Sequence, residues 1–310
     1  MKLIRGLHNF LSMHRGGVLT IGNFDGVHLG HQAVLRSLAM TGRELGAPAV
    51  MMTFEPQPQE FFAPETAPPR LTRLREKLVV LESCGIDAVL CLRFDEALAE
   101  LEAEEFVTRL LVERCAVRHV LVGDDFRFGR ARRGNIDLLR DLGAANGFQV
   151  GNMPTFKLDG ERVSSTRVRS ALTDGRLEDA RDLLGRPYRL CGRVVHGDGR
   201  GKTIGFPTAN VELHRRALPL SGVYAVRVNG LGERTYNGAA NIGVRPTFGG
   251  HRAVLEVHLL DFKGDAYGRN IRVEMVDKLR DEKRFDSVDA LCHQIEKDVA
   301  RARDRLAYSQ

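Results

Sequence analysis

The chain has 310 residues, 43% of them hydrophobic, with 46 basic against 40 acidic side chains and a formal net charge of +6. That length can bury a large core and exceeds a single small domain, so two domains are expected; the mild basic excess lacks the Lys/Arg block of a nucleic-acid tail. No apolar run approaches the roughly 18 residues of a membrane span, and the N-terminus MKLIRGLHNF has no stretch long enough for a secretory leader, so a cytoplasmic protein without a membrane segment is expected.

The first half alternates strand-like and helix-like segments. Val18 to Ile21 reads as a strand, about His31 to Leu45 as a helix and Ala49 to Phe54 as the next strand. A helical Leu74 to Ser83, an apolar Ala88 to Leu92, a Glu/Leu/Ala-rich helix from about Glu96 to Cys115 and the strand His119 to Val122 follow. A helix near Ile136 to Ala145 and a strand near Phe148 to Met153 complete the series, which is the pattern of a parallel sheet flanked by helices. Pro56, Pro58, Pro64, Pro68 and Pro69 crowd one segment, where proline excludes regular structure and suggests a surface flap beside the strand end at Phe54, or a plain connecting loop.

After Gly185-Arg186-Pro187 the texture becomes short runs punctuated by Gly and Asn: Arg189 to Val195, Gly222 to Val228, Tyr236 to Ile242, Val254 to Leu260 and Ile271 to Val276. These read as antiparallel strands of a sandwich or barrel. Val288, Leu291, Ile295 and Val299, spaced by three and four, predict one closing amphipathic helix over Ser287 to Leu306. The boundary is expected near residue 185, giving domains 1–185 and 186–310. Cys84, Cys91, Cys115, Cys191 and Cys292 are scattered without a CxxC pair, so reduced thiols are expected, with neither a disulfide framework nor a zinc site.

In open parallel sheets ligands sit at the carboxyl ends of the strands, and GNFDGVHLGHQ (Gly22 to Gln32) follows the first of them. Free N–H groups and the dipole at a helix start suit a phosphate. His28 and His31, three apart, can share one side of that start, while Gly26 and Gly30 let an anion approach the main chain. A capping histidine pair with a structural glycine would satisfy the same four letters. Three later segments also follow expected strands: Phe54 to Pro58 (FEPQP), Gly123 to Gly129 (GDDFRFG) and Val163 to Arg169 (VSSTRVR). Singly, Phe126 and Phe128 read equally as core, and Ser164 or Ser165 as a helix cap. Four such segments at strand ends together point to a site.

GNFDGVHLGH, FEPQP, GDDFRFG and SSTRVR resemble the motifs of the adenylyltransferase module of the bacterial bifunctional riboflavin kinase/FAD synthetase family, one of the HxGH nucleotidyltransferases. The resemblance implies a Rossmann-like N-terminal domain in which an FMN phosphate attacks the α-phosphorus of ATP, with no protein nucleophile. It implies that His28, His31 and Arg169 handle the ATP phosphates, with Gly22, Phe24, Asp25, Gly30, Ser164, Ser165 and Thr166 also binding ATP. It assigns Phe62, Asp125 and Phe128 to the flavin.

The second half contains HGDGRGKTIGFPTAN (His196 to Asn210). Gly201-Lys202-Thr203 looks like the end of a P-loop, but His196 stands where the first glycine of GxxxxGK[ST] belongs, and strand-like segments surround it. A Walker-type fold is rejected, although a glycine-rich phosphate cradle stays open. Thr208 and Asn210 alternate across Ala209, so an extended chain points both to one face and both can offer oxygens to one Mg2+. Leu255 to Leu259 alternates apolar and polar, which puts Glu256 on the polar side of a strand, either facing water or taking a proton from a substrate hydroxyl.

HGDGRGKTIGFPTAN, GVYAV, NIGVRPTF, LEVHLLDF and LRDEKRF resemble the same family's kinase module. The resemblance implies a six-stranded antiparallel barrel closed by a C-terminal helix, Mg2+ and ATP bound around Gly205, Pro207, Thr208 and Asn210, Glu256 as general base, and Arg280 near the flavin. The substrates implied are riboflavin, FMN, FAD and ATP. Val168 stands where the motif commonly has isoleucine, a mild departure. One competing reading is an RNA binder using a basic barrel, but the chain has no tryptophan, only 6% aromatics and no Lys/Arg stripe, so no nucleic-acid partner is expected. Another is an adenylyltransferase for a different phosphate-bearing substrate, with a non-catalytic barrel.

Overall fold

The structure, a computed structural model, describes residues 1–197, 199–247 and 250–307; Asp198 of the glycine-rich run and Phe248 of NIGVRPTF lie outside the described residues. By backbone contacts the chain forms two compact units, Met1–Pro68 with Lys77–Ser164, and Pro69–Glu76 with the chain from Ser165 onward.

The first unit is built on β1 (Lys2–Arg5), β2 (Val18–Ile21), β3 (Ala49–Glu55), β4 (Ala88–Arg93), β5 (His119–Gly123) and β6 (Gln149–Met153). They lie in the order β1-β4-β3-β2-β5-β6, and every pairing is parallel. Helices cover both faces, so the central strands are nearly all apolar and bury alternate residues on opposite sides. Leu19, Ile21, Val50, Met52 and Leu90 join one core with Phe106 and Leu111, while Val18, Met51 and Val89 join another with Leu35, Leu38 and Leu81. The chain winds from β2 outward through β3 and β4, then returns to add β5 and β6 on the other side. That reversal makes the carboxyl end of β2 the crevice where such sheets bind ligands. A small hairpin, β7 (Lys157–Leu158) with β8 (Glu161–Arg162), follows.

Two expectations are corrected here. The helix expected over Glu96 to Cys115 is broken into Glu96–Ala99 and a second helix from Ala103, whose part Phe106–Arg114 is wound with wider turns. Cys115 N–H reaches Leu110 O at 3.0 Å, the wide-turn spacing, and the freed Leu101 carbonyl accepts from Arg130 N–H at 2.7 Å. The proline-rich segment is not devoid of regular structure, since Pro58–Phe62 forms a short helix. Proline is tolerated at the first helical position, and a reciprocal cap between Gln57 and Glu60 fixes the start, with Gln57 N–H to Glu60 Oε2 at 3.0 Å.

In the second unit, β9 (Arg189–Val195), β10 (Ala209–Glu212), β11 (Gly222–Asn229), β12 (Tyr236–Thr247), β13 (Gly250–Leu259) and β14 (Asn270–Arg280) close a barrel in the order β10-β13-β12-β11-β14-β9. All its pairings are antiparallel. Leu255 and Val257 on β13, Ala240 on β12 and Tyr224 on β11 are fully buried, while Glu256 between them faces the other way. The C-terminal helix Val288–Ala307 lays Ala302 and Leu306 against Val223, Ala225, Ala239 and Leu279. The segment Pro69–Glu76 is pinned in this unit by a buried Arg215–Glu76 ion pair, by Arg215 Nη1 donating to Arg70 O at 2.9 Å, and by Tyr188 Oη donating to Leu71 O at 3.1 Å. Among the described residues no helix is long and apolar enough to cross a membrane.

Candidate active sites

The helix after β2 runs Leu29–Glu44, two residues earlier than expected, and His28 is its cap. His28 Nδ1 accepts from His31 N–H at 3.3 Å, and the two imidazoles stack with centroids 3.6 Å apart and planes 17° from parallel. The turn beneath them is strained, because Phe24 and Val27 take left-handed φ of 47° and 43°, with Gly26 at 79° between them. Valine rarely adopts that conformation, and such strain clusters at functional sites. Its carbonyls are tied down: Asn23 O accepts from Lys77 Nζ at 2.5 Å and Val27 O from Gln32 Nε2 at 2.9 Å.

Desolvation holds His31 well below the usual histidine value of 6.5, helped by the charges of His28, Lys77 and Arg162. The imidazole is therefore neutral at pH 7, and its Nδ1 is buried with no hydrogen-bond partner among the described residues. A buried ring nitrogen without a partner needs an explanation, and an anion at this helix start supplies one. Gly30 leaves little room for anything larger, since a Cβ there would lie 3.3 Å from the His28 ring and 3.4 Å from Phe156 Cβ. Phe24 and Asp25, expected to bind ATP, are buried at 5% and 3% exposure, and the Phe24 ring packs 4.8 Å from His31. Phe24 thus backs the histidine.

A cleft of about 930 Å3 opens at the strand ends of the same unit, lined by Ile21, Phe54, Phe62, Phe94, Phe106, Phe126 and Phe128. Phe62 is 65% exposed and stands edge-on to Phe61 and Phe94, with centroids 5.3 and 5.6 Å away. Phe128 is mostly buried, wedged against Gly134, while Phe126 stacks on it at 5.4 Å with more of its surface free. Sequence reasoning missed Phe94 and Phe106; an aromatic inside an apolar helix or after an apolar strand reads as core. Lys77 was missed too, because a lysine in a helix reads as solvent-facing. Asp125 is an exposed partner of Arg162 and does not line this cleft. Gly22 follows β2 with its N–H on Met52 O at 3.1 Å. Ser164 ends this unit. Ser165, Thr166 and Arg169 belong to the helix Ser165–Thr173 in the second unit, where Arg169 Nε donates to Pro69 O at 2.8 Å.

The second unit has its own cleft of about 370 Å3, lined among others by Phe206, Thr208, Asn210, Asn241, Glu256 and Arg280. The register explains why these meet. Asn210 lies directly across from Glu256, and Glu256 directly across from Asn241, so the three project from one face of the barrel wall. Thr208 joins Asn210 in the cleft as the alternation requires. Gly197 packs flat on the Asn210 carboxamide, where a Cβ would come 2.2 Å from Nδ2, and Gly201 does the same beside Phe206 O and Thr208 Oγ1. Gly205, at φ 85°, makes the turn before this strand, and the Pro207 carbonyl lies 2.8 Å from His258 Nδ1, a cleft residue that the sequence did not single out.

Arg280 forms a bidentate pair with Asp298 of the C-terminal helix, from Nε to Oδ1 and Oδ2 at 3.1 and 2.9 Å and from Nη2 to Oδ2 at 2.8 Å. Its guanidinium carbon lies 5.6 Å from the Phe285 ring centroid. No group of three or more His, Cys, Asp or Glu side chains able to hold a metal occurs among the described residues. Thr208, Asn210 and Glu256 are hard oxygen donors, which suits a Mg2+ that takes its remaining ligands from phosphate and water.

The profile of the FAD synthetase family matches residues 11–167, and that of the riboflavin kinase family matches residues 184–306. The chain is 54% identical to the bifunctional riboflavin kinase/FMN adenylyltransferase of Escherichia coli (strain K12), over 98% of this chain and 97% of that protein. It is 53% identical to the Pseudomonas fluorescens protein of the same description, over 100% and 99%. Among solved structures, one described as a macrolide-efflux protein from Streptococcus pneumoniae superposes with a TM-score of 0.82 at 32% identity, covering 98% of this chain and 99% of that one.

Proposed function

We propose how this chain, which belongs to the bifunctional riboflavin kinase/FMN adenylyltransferase family, divides its two reactions: residues 1–185 adenylylate FMN and residues 186–310 phosphorylate riboflavin. The protein uses ATP to convert riboflavin to FMN, then transfers an adenylyl group from ATP to FMN, giving FAD and pyrophosphate. What supports the division is that the cleft of about 930 Å3 lies within the residues matched by the FAD synthetase profile and the cleft of about 370 Å3 within those matched by the riboflavin kinase profile.

For adenylyl transfer, an FMN phosphate oxygen bonds to the α-phosphorus of ATP as the bond to the bridging oxygen breaks, so pyrophosphate leaves with the electron pair. The protein need only position the partners and stabilise charge. The N–H groups of the helix start, with Gly22, Asp25 and Gly30 shaping the turn, hold the polyphosphate, and the family resemblance alone keeps Ser164, Ser165, Thr166 and Arg169 as ATP-binding residues. The His28 and His31 imidazoles donate to the leaving oxygens, and neither acts as nucleophile. The flavin ring occupies the phenylalanine cleft, with Phe62 and Phe126 as stacking faces and Phe128 behind them.

For phosphorylation, Glu256 takes the proton of the terminal ribityl hydroxyl as its oxygen bonds to the γ-phosphorus and ADP leaves. Such assistance is worth about 10² to 10⁴ in rate. Thr208 and Asn210 would hold a Mg2+ that neutralises phosphate charge. Gly205 and Pro207 shape the loop over the phosphates, and Arg280 contacts the flavin. We also assign the protein to the cytoplasm: burial pushes the Cys115 thiol up to about 12 and Cys191 to about 11, values suited to unreactive, reduced residues. A time course with riboflavin and Mg-ATP tests the assignment. FMN should rise first and FAD at its expense; FAD without transient FMN, or riboflavin unchanged, refutes it.

A further inference from the structure

Lys77 belongs to the helix Leu74–Leu81, and yet its side chain is 1% exposed. A buried ammonium is costly unless it is paired and hydrogen-bonded, and lysine is almost never fully buried otherwise. Its Nζ donates to the carbonyl of Asn23, the residue just before the left-handed Phe24. The hydrogen bond therefore fixes the entry to the strained Phe24–Val27 turn, whose far end is the cap His28. Gln32 holds the other side of that turn through Val27 O. Three charged or titratable groups bear on His31, namely His28, Lys77 and Arg162, with the apolar Phe24 ring on another side. Lys77 thus serves the turn twice, by geometry and by charge.

We propose that Lys77 is a positioning residue of the adenylyl-transfer site: its buried ammonium clamps the Asn23 carbonyl so that the strained turn presents both imidazoles and the helix N-terminus to the ATP polyphosphate. The proposal rests on assigning the histidine pair to adenylyl transfer. Beside burial, the larger cause, the positive charge of Lys77 also helps to hold His31 below the usual histidine value. An ammonium here does so without competing for substrate phosphate, since it is directed at the backbone.

The test is Lys77→Met in the full-length enzyme, which keeps the apolar stem and removes donor and charge. Adenylylation of supplied FMN is measured against ATP concentration and pH, and riboflavin phosphorylation is measured on the same preparation. The expected result is a KM for ATP raised about tenfold, the scale of one charge-assisted contact. The acid limb of kcat/KM for adenylylation should move to higher pH, because His31 protonates more easily without a neighbouring cation, while phosphorylation stays near the wild-type rate. Lys77→Arg, which keeps the charge, should restore the acid limb. An ATP KM and acid limb both unmoved in a variant with intact phosphorylation overturn the proposal. If Lys77→Met loses phosphorylation as well, Lys77→Gln, which retains a donor and removes the charge, should leave the ATP KM near the wild-type value while the acid limb still moves to higher pH, and a KM raised as in Lys77→Met or an unmoved acid limb overturns the proposal. His31→Ala run in parallel separates the two claims: full adenylylation in that variant removes the reading of the site itself, whereas its loss beside an unaffected Lys77→Met removes only the role of Lys77.

Discussion

Replacing Asp298 with Asn tests whether the C-terminal helix holds Arg280, the cleft residue proposed to contact the flavin. Asp298 is 2% exposed and spends its carboxylate on Arg280, with Gln294 Nε2 also donating to Oδ1 at 2.9 Å. The amide keeps the shape and removes the anion, leaving the guanidinium facing a group with a single acceptor oxygen and an N–H2 that repels it. Hydrogen bonds to charged groups contribute about 1.5 to 3 kcal/mol. Because the Arg280 side chain is 19% exposed, water recovers part of this, and about 2 kcal/mol is the appropriate scale. If that loss falls on substrate binding, it corresponds to roughly 30-fold in affinity. Steady-state phosphorylation should show KM for riboflavin raised by that order, while adenylylation of supplied FMN is retained and the far-ultraviolet spectrum keeps its helical signal. An unchanged riboflavin KM would refute the reasoning, and so would a loss of both activities together.

The remaining tests are briefer. Gly129 has φ 72°, and a Cβ there would lie 2.6 Å from Ala103 Cα, so Gly129→Ala should cost about 2 to 4 kcal/mol of unfolding free energy in chemical denaturation. A cost below about 0.5 kcal/mol, the size of an ordinary surface change, would contradict the packing of that loop. Phe62→Ala and Phe126→Ala should each raise KM for FMN in adenylylation while sparing KM for riboflavin in phosphorylation; equal effects on both would remove the aromatic cleft as the FMN site. Because His31 is held below 6.5 when folded, the unfolded chain binds a proton that the folded chain refuses, so stability is lost as pH falls below 6.5. The slope is up to about 1.4 kcal/mol per pH unit. Denaturation at successive pH values should show a shallower acid slope for His31→Gln, and identical slopes would contradict the burial.

The parallel sheet was legible because buried strands read as continuous apolar runs, and Val18–Ile21 and Ala49–Glu55 announce themselves this way. β1 escaped because KLIR is short and charged at both ends. The strained turn at Phe24–Val27 could not be read, since nothing local asks valine to adopt a positive φ; the surrounding contacts impose it. The same holds for Asn241, which enters the kinase cleft only through cross-strand register, whereas His258 shares the face of Glu256 by strand alternation. Glu256 was legible as polar on an alternating strand, but its neighbours Asn210 and Asn241 come from distant parts of the chain. The proline-rich flap departs from expectation because proline breaks a helix only in its interior, whereas at a first helical position it starts a turn.

The claim that two chemistries run in separate sites of one chain is tested most directly by crossing two variants in a single assay. Glu256→Gln should suppress conversion of riboflavin to FMN and still convert supplied FMN to FAD, whereas His31→Ala should form FMN from riboflavin and stop there. Loss of both activities from either change, in protein that remains folded, would contradict the two-site account.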